Sequence, residues 1–156
     1  MSNDQNVRQA VGAVIVSGYK VLLVHKVKAM DGALGPEQIE GEWDFPKGGI
    51  THGEDVLQAL SREIGEETGI VDFRVIEELH SFDFQFDEKF RKKLGYRSQH
   101  TRMFLLEYSG NIDDVFVPNE EINKACFYNE KEVVDVLHHD SCKAYYETHV
   151  RSRIAL

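Results

Sequence analysis

The segment from Gly48 to Ile70, GGITHGEDVLQALSREIGEETGI, carries five acids and crowds three of them, Glu63, Glu66 and Glu67, into a single turn of a predicted helix. Val56, Leu57, Leu60 and Ile64 recur at helical spacing, which predicts an amphipathic helix holding all five acids, and Gly69 is a suitable residue to stop it. Residues three and four apart are neighbours on a helix, and like charges so placed cost about 0.2–0.5 kcal/mol per pair. At about 100° per residue, Glu63 and Glu67 fall beside Val56 and Leu60, at the edge of the apolar stripe rather than on the solvent face. A carboxylate withdrawn from water needs a counter-charge. Two readings are open: a solvated acidic helix with Arg62 as a partner, or a carboxylate cluster that holds metal. Carboxylate oxygens suit a hard cation such as Mg²⁺ or Mn²⁺ rather than zinc.

At 156 residues the chain is expected to form one domain over residues 1–156, with a hydrophobic core that needs no staples. Cys126 and Cys142 match no metal-ligand spacing and no C-x-x-C, so they are read as reduced thiols. The start, MSNDQNVRQ, lacks a basic end followed by an apolar stretch, and runs such as AVIV are too short to span a bilayer. These features point to a cytoplasmic protein with no membrane partner. A formal net charge of −9 argues against a broad nucleic-acid surface and against DNA as a partner. Basic residues gather locally at Lys89, Arg91, Lys92, Lys93 and Arg97, either as a solvated loop or as an element facing polyphosphate.

Along the chain, VGAVIV and KVLLVHKV flank Ser17-Gly18 and predict a hairpin. Lys28 to Glu42 is rich in Gly and acids and reads as a loop leading into Trp43-Asp44-Phe45-Pro46-Lys47. FRVIEELHSFDFQF alternates as a strand, TRMFLLEYSG pairs with it across the basic loop, and ACFYN is a shorter strand. Glu130 to His138 and Ser141 to Arg151 predict one or two helices, with Val133, Val136 and Leu137 as a core face. Interleaved helices and partly antiparallel strands make a mixed α+β domain.

Gly48, five residues, Glu54, seven residues, Arg62-Glu63, an aliphatic Ile64, one residue, Glu66-Glu67, one residue, Gly69 and an aliphatic Ile70 coincide with every fixed position of the Nudix box. The chain therefore resembles the Nudix hydrolases. The resemblance implies an α/β/α sandwich around a mixed central sheet, with the catalytic loop, helix and loop at one sheet edge. It also implies hydrolysis of a phosphoanhydride bond in a nucleotide polyphosphate, with divalent metal and an attacking water. By position, Glu63 and Glu67 match the family's metal-binding acids, and Glu66 matches a third that binds metal or helps deprotonate water. Arg62 matches an arginine that orients these carboxylates, and Glu54 an acid working through structure or a metal-bound water. Gly48, Gly53 and Gly69 are the structural glycines of the box. The Lys47 carbonyl matches a metal ligand, and its ammonium is a candidate to hold a phosphate. Many relatives use a further acid from a late loop, for which Glu121 is favoured over Glu120 in Pro118-Asn119-Glu120-Glu121-Ile122.

The flanks narrow the substrate. Trp43 to Gly48 is similar to the corresponding segment of dinucleoside polyphosphate hydrolases, diphosphoinositol polyphosphate phosphohydrolases and bacterial RNA 5′-pyrophosphohydrolases. Arg8, before the first strand, and GYRSQHTRMFLLEY are similar to the last of these. Phe86 falls where diadenosine tetraphosphate hydrolases carry a tyrosine; it is either a base-stacking platform or, with Phe82 and Phe84, one strand face in the core. Dinucleoside polyphosphates are the first expectation, triphosphorylated RNA 5′ ends the second. A nucleotide-binding sensor without hydrolysis is the alternative from a different class.

Overall fold

A computed structural model describes residues 6–27, 41–115 and 122–154. Its spine is β1 (Val7–Ser17), whose apolar run lies parallel to β7 (Ser98–Glu107) from Val7 against Ser98 to Val16 against Glu107. Gly18, at φ 62, turns β1 into β2 (Lys20–Lys26), and Ser17 faces Lys20 across the hairpin. β3 (Glu42–Asp44) pairs with the end of β2, and β4 (Lys47–Gly49) with Ala10 to Gly12 of β1. β5 (Arg74–Glu78) and β6 (Phe82–Gln85) both pair with β7, one at each end, and β8 (Ile122–Asn129) borders β2. The result is an eight-stranded mixed sheet built on the order β3-β2-β1-β7-β5.

Strand alternation sends successive side chains to opposite faces, and each face carries its own core. Val11, Ala13, Ile15, Leu22, Phe104 and Leu106 pack against Ala59, Leu60 and Ile64 of α1 (Val56–Thr68). Val14, Val16, Val21, Leu23, Met103 and Leu105 pack under the C-terminal helices, which contribute Val133, Leu137, Cys142, Tyr145, Tyr146 and Val150. Those helices are α3 (Val133–Val136), α4 (Asp140–Tyr145) and α5 (Arg151–Ile154), the last two joined by a π-helical turn over Tyr146–Val150. Helix, sheet and helix thus stack in three layers, the sandwich that the resemblance implies. Among the described residues no helix is long and apolar enough to cross a membrane.

Several local expectations need correction. α1 begins at Val56 because Asp55 caps it, its carboxylate accepting from the Gln58 N–H while the Gln58 side chain accepts from the Asp55 N–H. Glu54 and Asp55 therefore precede the helix, and Leu57, on the assigned apolar stripe, is 55% exposed. FRVIEELHSFDFQF is two strands, broken at Leu79, whose N–H turns to the Met103 carbonyl. The basic run is largely a helix, α2 (Glu88–Leu94), rather than a loop. Residues 28–40 of the glycine-rich segment lie outside the described residues.

Leu60 is 1% exposed at the centre of the contact between α1 and the sheet. Leu60→Ala is expected to cost about 2–5 kcal/mol, read as a lower urea midpoint at unchanged slope. A loss within about 0.5 kcal/mol, the range of ordinary surface changes, would mean that this contact does not anchor the helix.

Candidate active site

The glycine-containing loop, α1 and the β3–β4 turn converge because β3 pairs with β2, β4 pairs with the neighbouring β1, and α1 packs on the same face of those strands. Ile50 N–H bonds to the Gln9 carbonyl and Ala13 N–H to that of Pro46, which sews the loop to β1. Gly53, at φ 88, takes the loop into the α1 cap, while Gly69 ends α1 at φ 77 with its N–H on the Gly65 carbonyl. Gly48 lies directly against the Glu63 carboxylate: a Cβ there would fall 2.0 Å from its carboxyl carbon, so a larger residue would displace that side chain.

Arg62 organises the acids. Its Nε and Nη2 hold the two oxygens of Glu54 at 2.7 and 2.9 Å. Nη1 donates to Glu63 at 2.7 Å and to Glu66 at 3.3 Å, and Nη2 also donates to the Gly49 carbonyl at 2.9 Å. Both Glu54 oxygens are bonded to Arg62, and Oε1 also accepts the Thr51 N–H at 2.8 Å, which ties this carboxylate to the loop. The Arg62 hydrogen bonds, then that of Thr51, hold its carboxyl down at about 2.

Glu67 is in a different environment. It is 7% exposed, and one oxygen accepts the Lys47 N–H at 3.3 Å. Burial pushes its pKa up to about 7; the Lys26 charge opposes that shift and the Glu63 charge adds to it. Burial likewise raises Glu63, against the pull of Arg62. Glu66 stands outward, its side chain 57% exposed. Two withdrawn carboxylates on one turn, one against Gly48 and the other on the Lys47 N–H, fit a hard divalent cation of the Mg²⁺ or Mn²⁺ kind.

Lys26 and Asp44 complete the charge cluster around Glu67, although no motif in the sequence marks either. Burial draws the Lys26 ammonium down, but Glu67, Asp44 and Glu63 outweigh it and hold it above its usual range. Asp44 is pushed up by burial and drawn below the carboxylate range by Lys47 and Lys26. A lysine ending an apolar strand and an aspartate inside the Trp43–Lys47 approach were the available signals; neither residue type alone indicates a buried partner.

Lys47 departs from expectation. Its ammonium lies 3.1 Å from Asp44 Oδ2 and 4.3 Å from the centre of the Phe82 ring, with 9% of the side chain exposed. It is committed to the protein interior and is not turned out to hold a phosphate. Phe86, just past the end of β6, is also buried, edge-on to Phe84 at 5.1 Å, and is not turned out as a stacking platform; Phe82 lies in the core with Phe84 packed against it. Arg8 donates to Gln99 at 2.7 Å and covers Gly49, beside the box loop. Glu120 and Glu121 lie outside the described residues.

The model of the NUDIX domain family matches residues 6–148. A protein of Bartonella quintana (strain Toulouse) named RNA pyrophosphohydrolase is 30% identical over 125 residues, covering 77% of this chain and 72% of that protein. A Campylobacter jejuni protein of the same name is 26% identical over 147 residues, 89% of this chain and 88% of that one. Among solved structures, a C. elegans Ap4A hydrolase binary complex superposes with a TM-score of 0.68 at 18% identity, over 90% of this chain and 93% of that one. The NUDIX domain of Shewanella oneidensis NrtR, complexed with ADP ribose, gives 0.66 at 18%, over 94% and 86%. At those identities the structural likeness speaks for the fold alone.

Without metal, the folded state holds a proton on Glu67 up to about pH 7, whereas an ordinary glutamate releases it near 4.5. More protons are bound folded than unfolded across that window, so stability must fall as pH rises through it, by about 3 kcal/mol. Urea midpoints in chelator at pH 5 and pH 7.5 should show the decline, and Glu67→Gln should flatten it. An unchanged slope in that variant would assign the effect elsewhere.

Proposed function

The chain belongs to the NUDIX family and is a pyrophosphohydrolase, and we propose that it removes phosphate from the triphosphorylated 5′ end of RNA with the help of Mg²⁺ or Mn²⁺. The observation that carries the reading is the division of labour among four glutamates. Arg62 neutralises Glu54 and shares Glu63 and Glu66, while Glu67 is left with the Lys47 N–H and the more distant Lys26.

Glu63 and Glu67 would hold the cation, with Glu66 and the Lys47 carbonyl as further donors. A bound divalent ion neutralises the polyphosphate charge and acidifies water. The protein's own share is positioning. Arg62 keeps the carboxylates of Glu63 and Glu66 on one side of the loop, and Gly48 lets the backbone approach them. Glu66 or Glu67 accepts the proton of the attacking water as the P–O–P bridge breaks. Arg8, at the rim over Gly49, is suited to a phosphate oxygen.

RNA is favoured over the first expectation for two reasons. Relatives matched over most of their length carry the RNA pyrophosphohydrolase name. In addition, α2 presents Lys89, Arg91, Lys92 and Lys93 on the exposed surface at the sheet end where Arg97 N–H meets the Asn6 carbonyl, close to Arg8. That helix gives an otherwise acidic protein a local basic contact. Dinucleoside polyphosphates remain the second reading, favoured by the Trp43–Gly48 segment but weakened by the burial of Phe86.

The substrate test is incubation with Mg²⁺ and either 5′-triphosphorylated RNA or diadenosine tetraphosphate, with products separated by anion exchange. Pyrophosphate or orthophosphate from RNA is expected; ATP plus AMP with RNA untouched would select the dinucleotide. Turnover of neither, with nucleotide still bound, would indicate a sensor. Glu66→Gln and Glu67→Gln are each expected to lower kcat by about 10²–10⁴-fold with the fold intact, and Arg62→Lys, which cannot reproduce the fork to Glu54, to lower it by a smaller factor. Full rates in both glutamine variants would remove this mechanism.

A further inference from the structure

A second cluster of metal-ligating side chains lies outside the box. β3 and the α3–α4 connection bring Glu42, His138 and His139 together on the surface, with one ligand atom from each within 4.8 Å of the others. His139 Nε2 is 2.8 Å from Glu42 Oε1, and His138 Nε2 is 3.5 Å from Glu42 Oε2. We propose that these three residues form a separate metal site, selective for a borderline divalent ion of the Zn²⁺ type rather than for the hard cation of the box.

The donor set decides the class of ion. Two imidazoles and one carboxylate are a familiar three-ligand zinc set, which leaves a fourth position for water. Mg²⁺ prefers oxygen donors and gains little from imidazole. A tetrahedral ion with bonds of about 2.0–2.1 Å separates its ligand atoms by roughly 3.4 Å. The two imidazole-to-carboxylate distances, 2.8 and 3.5 Å, bracket that spacing, and all three side chains are exposed.

The backbone holds the three residues in register. His138 N–H donates to the Trp43 carbonyl at 3.2 Å, next in sequence to Glu42, and Glu42 is pinned opposite Lys26 on β2. His139 takes the position that caps α4, its carbonyl accepting from the Cys142 and Lys143 N–H groups, while its imidazole makes no cap hydrogen bond. The two rings stand edge to face, 4.9 Å apart at 89°, and both turn a nitrogen to the same carboxylate. Adjacent residues of an extended chain point to opposite sides; here the connection folds them onto one ligand. An ion at this position would crosslink β3 to the C-terminal helices two residues ahead of Asp44.

The test is isothermal titration of Zn²⁺ into the full chain held in saturating Mg²⁺, for the wild type, H138N/H139N and E63Q/E67Q. One Zn²⁺ is expected to bind the wild type and E63Q/E67Q alike. The H138N/H139N variant should lose affinity by more than the roughly 10–100-fold that removal of an outer partner alone produces. Cobalt(II) should develop the intense visible bands of a tetrahedral ion in the wild type and not in H138N/H139N. Unchanged Mg²⁺-supported hydrolysis in H138N/H139N would verify that the variant is folded. Equal Zn²⁺ affinity in wild type and H138N/H139N would overturn the proposal and reduce the cluster to surface histidine–carboxylate pairs. Loss of Zn²⁺ binding only in E63Q/E67Q would overturn it too, by assigning the ion to the box.

Discussion

One guanidinium makes the acid cluster tolerable. Arg62 directs its donors to Glu54, Glu63, Glu66 and the Gly49 carbonyl, so a single planar group joins the loop before α1 to the last turns of α1. Mutual repulsion among the acids is thereby converted into a shared attraction for one cation. The arrangement also fixes the loop, because Glu54 bridges Arg62 and the Thr51 N–H. Glu67 is not among the carboxylates that Arg62 binds. It sits deeper, and its pKa rises accordingly.

That depth is supported from beneath by a layer of buried charge. Asp44 accepts from the Phe45 N–H and from the Cys142 thiol at one oxygen and meets the Lys47 ammonium at the other. Burial, then the Asp44 charge, pushes the Cys142 thiol up to about 12, so it stays a thiol and a donor. The Lys47 side chain runs past Gly12, where a Cβ would lie 2.7 Å from its Cγ, toward Phe82, while its N–H meets Glu67 on the α1 side. One residue thus links the core under the C-terminal helices to the carboxylates of α1. Buried ion pairs bring little net stability; here the pair sets the geometry of the residue next to the box.

Much of the fold could be read from pattern. The β1–β2 hairpin follows from two apolar runs around Ser17-Gly18, and α1 from Leu60 and Ile64 with a glycine stop. Elsewhere the local pattern is ambiguous. Leu57 satisfies the helical stripe but sits in the first turn of α1 and stays 55% exposed, while Leu60 and Ile64 in the following turns are buried. The break at Leu79 left no signature, since β5 and β6 are separated by their pairing with different parts of β7. α2 was hidden because its residues are mostly charged, with little periodic contrast.

The sequence by itself determined which acids share a helical turn, where that helix ends, and that an arginine lies within reach of them. Residue spacing and the 3.6-residue repeat are local properties. Only the tertiary structure decided which charges are neutralised and which are not. Lys47 turned inward to Asp44, Lys26 came to oppose Glu67, and Glu42 met two histidines from the far end of the chain. Each of these depends on strands and helices brought together from distant positions. A side chain's electrostatic role is set by the burial and neighbours that such packing creates.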